Sequence, residues 1–169
     1  YNESQMSFKA AIKLKSDYAE AYTNLGNALN ELMKHEEAMI NLKKAIVLMP
    51  YYADAHYNLG KVLNDVERHN EAILSYSRAV RLNPTNAKVR NNLAGTLKVL
   101  GKYDDAIEHF DALNDSDGEA QSLECLYNSG KLVEFNEKLN SLSQAEVMNI
   151  RIAAVSAFAA HQHKKEDPY

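Results

Sequence analysis

The sequence repeats itself with a fixed period of 34 residues. Three related phrases begin one period apart, AYTNLG at 21–26, AHYNLG at 55–60 and VRNNLA at 89–94. Other phrases keep the same spacing: EAMI, EAIL and DAIE at 37–40, 71–74 and 105–108, and AIVLMP and AVRLNP at 45–50 and 79–84. A period of this length is typical of folds that stack one supersecondary unit several times, so we expect a modular chain.

Each period contains two stretches with the apolar spacing of an amphipathic helix. In residues 19–34, and again in residues 36–48, apolar side chains recur three and four positions apart. Pro50 and Pro84 close two of the periods, and proline cannot continue a helix because it lacks the backbone N–H. The sequence therefore predicts a series of helix-turn-helix units.

Small residues mark the places where the two helices of a unit come close together. Gly26 and Gly60 lie in first helices, and alanines hold one shared position in the second helices, at Ala38, Ala72 and Ala106. A larger side chain at these positions would hold the helix axes apart. Gly101 is expected at the end of a first helix, where positive φ is common.

This pattern of Leu-Gly, mid-repeat Ala, an aromatic residue and a terminal Pro resembles the tetratricopeptide repeat (TPR) family. The resemblance implies an all-α fold, a right-handed α-solenoid of TPR helix-turn-helix repeats with a C-terminal capping helix. Within a single TPR superhelix over 1–169, the expected segments are a second helix of a truncated repeat at 1–16, repeats at 19–52, 53–86 and 87–118, a degenerate repeat at 119–142, a capping helix at 143–164 and the start of a linker at 165–169. Residues 114–118 are predicted to form a loop, followed by a short helix at 121–128.

Charge and hydropathy argue against two classes of partner. Lys and Arg number 19 against 23 Asp and Glu, without a run of basic residues, so nucleic acid is not an expected partner. No stretch approaches 18 apolar residues, so no membrane partner or span is expected. The single cysteine, Cys125, favours a reducing intracellular compartment, and we predict a cytoplasmic location.

No catalytic or metal-binding motif stands out, so we predict no enzymatic activity and no cofactor or metal. His161 and His163 are two positions apart, which points their side chains in different directions on a helix. The other histidines occupy different phases of the repeat. Cys125 lies beside Leu123 and Leu126 in an amphipathic stretch and is expected to be a small core residue.

In TPR proteins the first helices line the concave face, so the resemblance implies which residues face a bound client. The inward, solvent-facing positions would be Glu20, Thr23, Asn24, Asn27 and Asn30, then Asp54, Tyr57, Asn58, Lys61 and Asn64, then Lys88, Asn91, Asn92, Gly95 and Lys98. The predicted peptide-binding residues are Asn24, Asn27, Asn58, Lys61, Lys88, Asn91 and Asn92. Tyr22, Tyr57 and Arg90 are candidates for side-chain pockets, although core packing is the preferred reading for Tyr22.

Asn24, Asn58 and Asn92 hold one position in three successive repeats. An Asn amide can pair with both the N–H and the C=O of an extended peptide. The arrangement resembles the Asn ladder in the TPR superhelix of O-linked N-acetylglucosamine transferase, which implies a protein or peptide client. Three such hydrogen bonds contribute only about 1.5–4.5 kcal/mol, so further contacts must add affinity.

Three alternatives remain open from the sequence. A chaperone-type groove clamps a C-terminal carboxylate; Asn27, Asn58 and Lys88 match that clamp, whereas Thr23 and Asn92 stand where it has cations. The repeats could instead be the recruitment or assembly arm of an enzyme with a glycosyltransferase- or oxygenase-type domain following Tyr169. They could also form a homodimer through the truncated N-terminal helix.

Overall fold

The computed structural model describes the backbone of residues 2–142 and the side chains of residues 14, 15 and 17–142. All regular structure in residues 2–142 is helical, which confirms the predicted all-α class. The eight helices there are α1 (Asn2–Glu31), α2 (His35–Leu48), α3 (Ala53–Asp65), α4 (His69–Leu82), α5 (Ala87–Val99), α6 (Tyr103–Asp111), α7 (Ser116–Asn128) and α8 (Leu132–Ser141). The predicted capping helix at 143–164 and linker at 165–169 lie outside the described residues.

The chain divides into two compact units, Tyr1–Val89 (unit 1) and Arg90–Tyr169 (unit 2). In unit 1, α1 packs against α2 and α3 packs against α4, and α3 also contacts both α1 and α2. In unit 2, α7 packs against both α6 and α8. The pairs α1 with α2, α3 with α4, and α7 with α8 are thus helix-turn-helix units.

The first helix differs from the sequence expectation. Two helices, at 1–16 and from residue 19, were expected, but α1 runs without a break from Asn2 to Glu31. The physical reason lies at Ser16, which takes the place that Pro50 and Pro84 hold one and two periods later. A serine keeps its backbone N–H, so the helix can continue through this position.

The glycines of unit 1 let paired helices approach closely, as predicted. A Cβ built on Gly26 would lie 2.6 Å from Leu42 Cγ, and one on Gly60 would lie 2.6 Å from Tyr76 Cδ1. In the facing helices, Ala38 and Ala72 are fully buried. A methyl group on either glycine would therefore collide with the partner helix.

Helices α1, α3, α5 and α7 end in the same way. The residue after the last turn has positive φ, 60° at Met33, 60° at Glu67, 70° at Gly101 and 76° at Gly130. The next N–H bonds back five residues, for example from Lys102 to the carbonyl of Leu97 at 3.0 Å. This is the Schellman arrangement, and it confirms the positive φ predicted for Gly101.

Unit 2 corrects the prediction of a loop at 114–118. Helix α7 already begins at Ser116, because the Asp115 carboxylate accepts a hydrogen bond from the N–H of Gly118 at 2.7 Å and caps the helix. Gly118 is buried, and a Cβ there would lie 2.4 Å from the carbonyl oxygen of Phe110. The glycine therefore serves helix packing and not chain flexibility.

The core of unit 2 forms around α7. Ala120, Leu123 and Leu126 pack with Phe135 of α8. Cys125 is completely buried in the same helix, as predicted for a core residue, and burial raises the pKa of its thiol to about 11.

Candidate peptide-binding face

Helices α1 and α3 lie side by side with equivalent positions in contact. Lys61 Nζ donates to Asn27 Oδ1 at 3.4 Å, and these residues are one repeat period apart. One turn further on, Asn30 Nδ2 donates to Asp65 Oδ2 at 2.7 Å. The first helices of neighbouring repeats are thus held in register. We use the name polar face for five residues of unit 1: Asn24, Asn27, Asn58, Lys61 and Lys88.

Asn24 and Asn58 are the equivalent asparagines on these two helices. Asn24 is exposed and Asn58 is half-buried. Neither side-chain amide hydrogen-bonds to another residue in the described part of the chain. Their donors and acceptors are therefore available to an external partner.

The amide of Asn27 is already occupied. Its Oδ1 accepts from Lys61, and its Nδ2 donates to Glu31 Oε1 at 3.0 Å. The chain of hydrogen bonds from Lys61 through Asn27 to Glu31 fixes the orientation of this amide. Of the predicted residues on α1, Asn24 is thus the more available.

Lys88 and Tyr57 form one contact at the start of α5. The ammonium of Lys88 lies 5.7 Å from the centroid of the Tyr57 ring, within the range of a cation–π interaction. The same ring lies 6.0 Å from the ring of Tyr76 in a tilted arrangement. Lys88 is exposed, so it covers Tyr57 and presents its charge to solvent.

The remaining predicted residues belong to unit 2. Asn91 is exposed, whereas Asn92 is half-buried and already takes part in an intramolecular interaction.

Three positions expected to face solvent are buried: Thr23 at 2%, Asn30 at 7% and Tyr57 at 9% exposure. Thr23 Oγ1 donates to the carbonyl oxygen of Ala19 at 2.8 Å, so its hydroxyl is used within α1. Asn30 is enclosed because its two amide atoms reach two other elements, Asp65 and His35.

The role of Asn30 could have been found from the sequence. Asn30 Oδ1 lies 2.8 Å from His35 Nδ1, and one period later Asn64 Oδ1 lies 3.0 Å from His69 Nδ1. The recurrence of Asn and His five residues apart is visible in the printed sequence. Each Asn–His pair forms a hydrogen bond across the turn between the paired helices.

The other candidate pocket residues face elsewhere. Tyr22 turns towards α2, where Lys44 Nζ lies 5.5 Å from its ring centroid. Arg90 Nη1 lies 3.5 Å from His109 Nδ1 in unit 2. Burial, together with the charge of Arg90, lowers the pKa of His109.

The described residues contain no cluster of three His, Cys, Asp or Glu side chains placed to hold a metal ion. Among the helices from α1 to α8, none combines the length and apolar character that a bilayer crossing requires.

Three family models match the sequence: a TPR repeat at 27–65, a tetratricopeptide repeat at 53–86 and a tetratricopeptide repeat at 75–108. No curated protein matches the chain in sequence.

Several solved structures share the fold. YrrB, a TPR protein with an unusual peptide-binding site, is 24% identical with a TM-score of 0.70, and the match covers 93% of this chain and 86% of YrrB. The MamA protein is 24% identical with a TM-score of 0.64, covering 80% and 82%. The second TPR of Spaghetti (RPAP3), bound to the HSP90 peptide SRMEEVD, is 20% identical with a TM-score of 0.59, covering 62% and 95%.

The repeat period, the paired helices and the family matches agree with one another. The chain therefore contains tetratricopeptide repeats, and the matched repeats span residues 27–108.

Proposed function

We propose that this chain is a protein-interaction module whose polar face binds an extended peptide segment. The observation that carries the proposal is the pair of amides at Asn24 and Asn58, which occupy equivalent positions on α1 and α3 and make no hydrogen bond to the described residues. Each amide offers donors and an acceptor, so it can pair with the N–H and C=O groups of a peptide main chain. Such pairing recognises the main chain of the peptide, so peptides of many different sequences are expected to bind.

The similarity to YrrB and to the Spaghetti domain supports this proposal, because both of those TPR structures are associated with peptides. The repeat fold places first helices of successive repeats next to each other, as the Lys61–Asn27 contact illustrates here. A peptide lying across them would meet equivalent side chains at regular intervals.

Hydrogen bonds to the two asparagines alone would give only weak peptide binding. Two amide contacts at about 0.5–1.5 kcal/mol each leave the dissociation constant above the millimolar range. Lys61 and Lys88 contribute two cations to the polar face. The Tyr57 ring beneath Lys88 contributes an apolar surface when the Lys88 side chain adopts another rotamer. Useful affinity therefore requires peptide side chains that reach these groups.

A carboxylate clamp is the less favoured mode. In that arrangement Thr23 would have to be a cation, but it is a buried threonine whose hydroxyl donates to the carbonyl of Ala19. Lys88 alone then supplies the charge for a terminal carboxylate at the matched positions. We therefore propose recognition of an internal, extended segment.

The test is a fluorescence anisotropy titration of a peptide library against the wild-type chain and Asn58→Ala. For peptides that bind, we expect Asn58→Ala to raise Kd about two- to ten-fold, which corresponds to one lost neutral hydrogen bond. The matched control is Asn70→Ala, because Asn70 is an exposed asparagine on α4 and is not part of the polar face. Binding that is indifferent to Asn58→Ala but altered by Asn70→Ala would overturn the proposed face.

A second comparison separates the two modes of recognition. Each peptide that binds is titrated with a free C-terminal carboxylate and with a C-terminal amide. We expect equal affinities for an internal segment. A loss of binding on amidation would instead support the carboxylate clamp.

A further inference from the structure

Helix α1 carries an apolar stripe that no described residue covers. The stripe consists of Leu14, Tyr18, Ala21, Leu25, Ala28 and, directly after the last helical residue, Leu32. All six are exposed, and the four large members reach 57% for Leu14, 55% for Tyr18, 48% for Leu25 and 68% for Leu32. We name this set the α1 stripe.

The spacing of the α1 stripe is that of a helix–helix interface. Its members alternate four and three residues apart, the a/d pattern with which two helices pack along their length. At 100° per residue, Leu25 lies on the side of α1 opposite to Asn27, which faces α3. The stripe is therefore a separate surface from the contact between α1 and α3.

The equivalent positions one repeat later indicate what such a stripe is for. In α3 they include Ala55, Leu59 and Val62, which are only 0%, 8% and 1% exposed. These residues lie in a helix that packs against α1 and α2. The positions that are covered by helices in α3 are thus exposed in α1. We therefore expect another helix to pack on the α1 stripe.

We propose that the α1 stripe of a second copy of this chain, running antiparallel, is that occupant. The order of side-chain sizes fits such a pairing. With Leu14 opposite Leu32 of the other copy, Tyr18 comes opposite Ala28 and Ala21 comes opposite Leu25. Every interior contact then joins a large side chain to a small one, which is how facing layers interdigitate. The interface is isologous, so one two-fold axis closes the assembly as a dimer.

The residues beside the stripe give the pairing a charge signature. Asp17, Asn24 and Glu31 lie along one edge of the stripe, and in an antiparallel pair this edge meets its own counterpart. Asp17 of one copy then comes near Glu31 of the other, so two like charges face each other at each end. A cation at position 31 would replace this repulsion with attraction.

The first experiment measures sedimentation equilibrium of the full chain over a range of concentrations. We expect a monomer–dimer equilibrium for the wild type and a Kd at least about ten-fold higher for Leu25→Glu, because a carboxylate would be buried at the centre of the interface. The matched control is Leu74→Glu, since Leu74 is an equally apolar residue on α4 with 71% exposure. A wild type that stays monomeric, or equal weakening by Leu74→Glu, would overturn the proposal.

The second experiment tests the antiparallel register through positions 21 and 25, which are exposed in the monomer. Ala21→Leu and Leu25→Ala should each weaken the dimer, and the double variant should restore it, because position 21 then again faces a residue of opposite size. Glu31→Lys should tighten the dimer at low salt. A dimer that Ala21→Leu strengthens would indicate parallel pairing and would overturn the register. None of these outcomes depends on the peptide titration above, so the two proposals can fail separately.

Discussion

The absence of a Cβ atom at Gly60 sets the distance between α3 and α4. Gly60 lies under the ring of Tyr76, which is only 2% exposed and cannot move away into solvent. Gly95 in α5 is different, because a Cβ built there would meet nothing within 4 Å. Two glycines in helix interiors therefore have opposite consequences for stability.

We expect Gly60→Ala to lower the free energy of unfolding by about 1 kcal/mol, because overpacking outweighs the gain in helix propensity. Gly95→Ala should raise the free energy of unfolding by about 0.5–1 kcal/mol, since only the propensity term remains. Urea unfolding followed by circular dichroism measures both. Equal effects of the two substitutions would contradict the packing role of Gly60.

The sequence anticipates some of these residues and not others. Gly26 and Gly60 could be assigned to helix contacts because they recur in phase beside alanines that also recur. Thr23 and Asn30 were placed on the solvent side, because helical spacing fixes a direction only to within a wide sector. Their burial depends on hydrogen bonds to Ala19 and to Asp65, and the sequence does not display the rotamers that form them.

At the scale of the helix, the repeated end structure after α1, α3 and α5 is the most constraining feature. The same left-handed position is filled by Met33, Glu67 and Gly101. A residue with a Cβ is strained there by about 1–2 kcal/mol relative to glycine. At two of these three helix ends the left-handed position is therefore filled by a residue that disfavours positive φ, Met33 after α1 and Glu67 after α3.

We expect Glu67→Gly to raise the free energy of unfolding by up to about 1 kcal/mol, after the greater entropy of glycine in the unfolded chain is subtracted. Glu67→Ala is the matched control, because it removes the same side chain and keeps the strain. Thermal unfolding of the two variants gives the comparison. If alanine stabilises as much as glycine, backbone strain is not the cause.

Element boundaries were predictable only where a strong stop or start signal exists. Pro50 and Pro84 mark ends that the structure keeps, with α2 ending at Leu48 and α4 at Leu82. Without a proline at position 16, α1 continues across the repeat boundary. The start of α7 was missed because Gly118 resembles a loop residue, and only its contact with Phe110 explains a glycine in the first turn.

At the scale of the whole chain, Cys125 offers a built-in probe of unit 2. Its side chain is fully buried between helices, and its thiol has a pKa of about 11 where the ordinary value is 9.0. Below pH 9 the native thiolate fraction is therefore about a hundred-fold smaller than in the unfolded chain.

We expect iodoacetamide to label Cys125 at least about a hundred-fold more slowly in the native chain than in urea at pH 8. An exposed thiol supplies the reference, for which Ala112→Cys in a Cys125→Ala background is suitable. Labelling of native Cys125 at the rate of that reference would show that unit 2 does not keep its core closed.

The two units use different kinds of polar contact between their helices. In unit 1, amide hydrogen bonds link one helix to another, for example Asn30 to Asp65 and Asn30 to His35. In unit 2 the links are ion pairs: Lys98 with Glu124 at 3.0 Å, Lys131 with Asp104 at 2.9 Å, and Lys138 with Asp111. Mobile ions attenuate such partly exposed ion pairs more than they attenuate hydrogen bonds in which one partner is a neutral amide. Raising the ionic strength therefore loosens the C-terminal half of the molecule first.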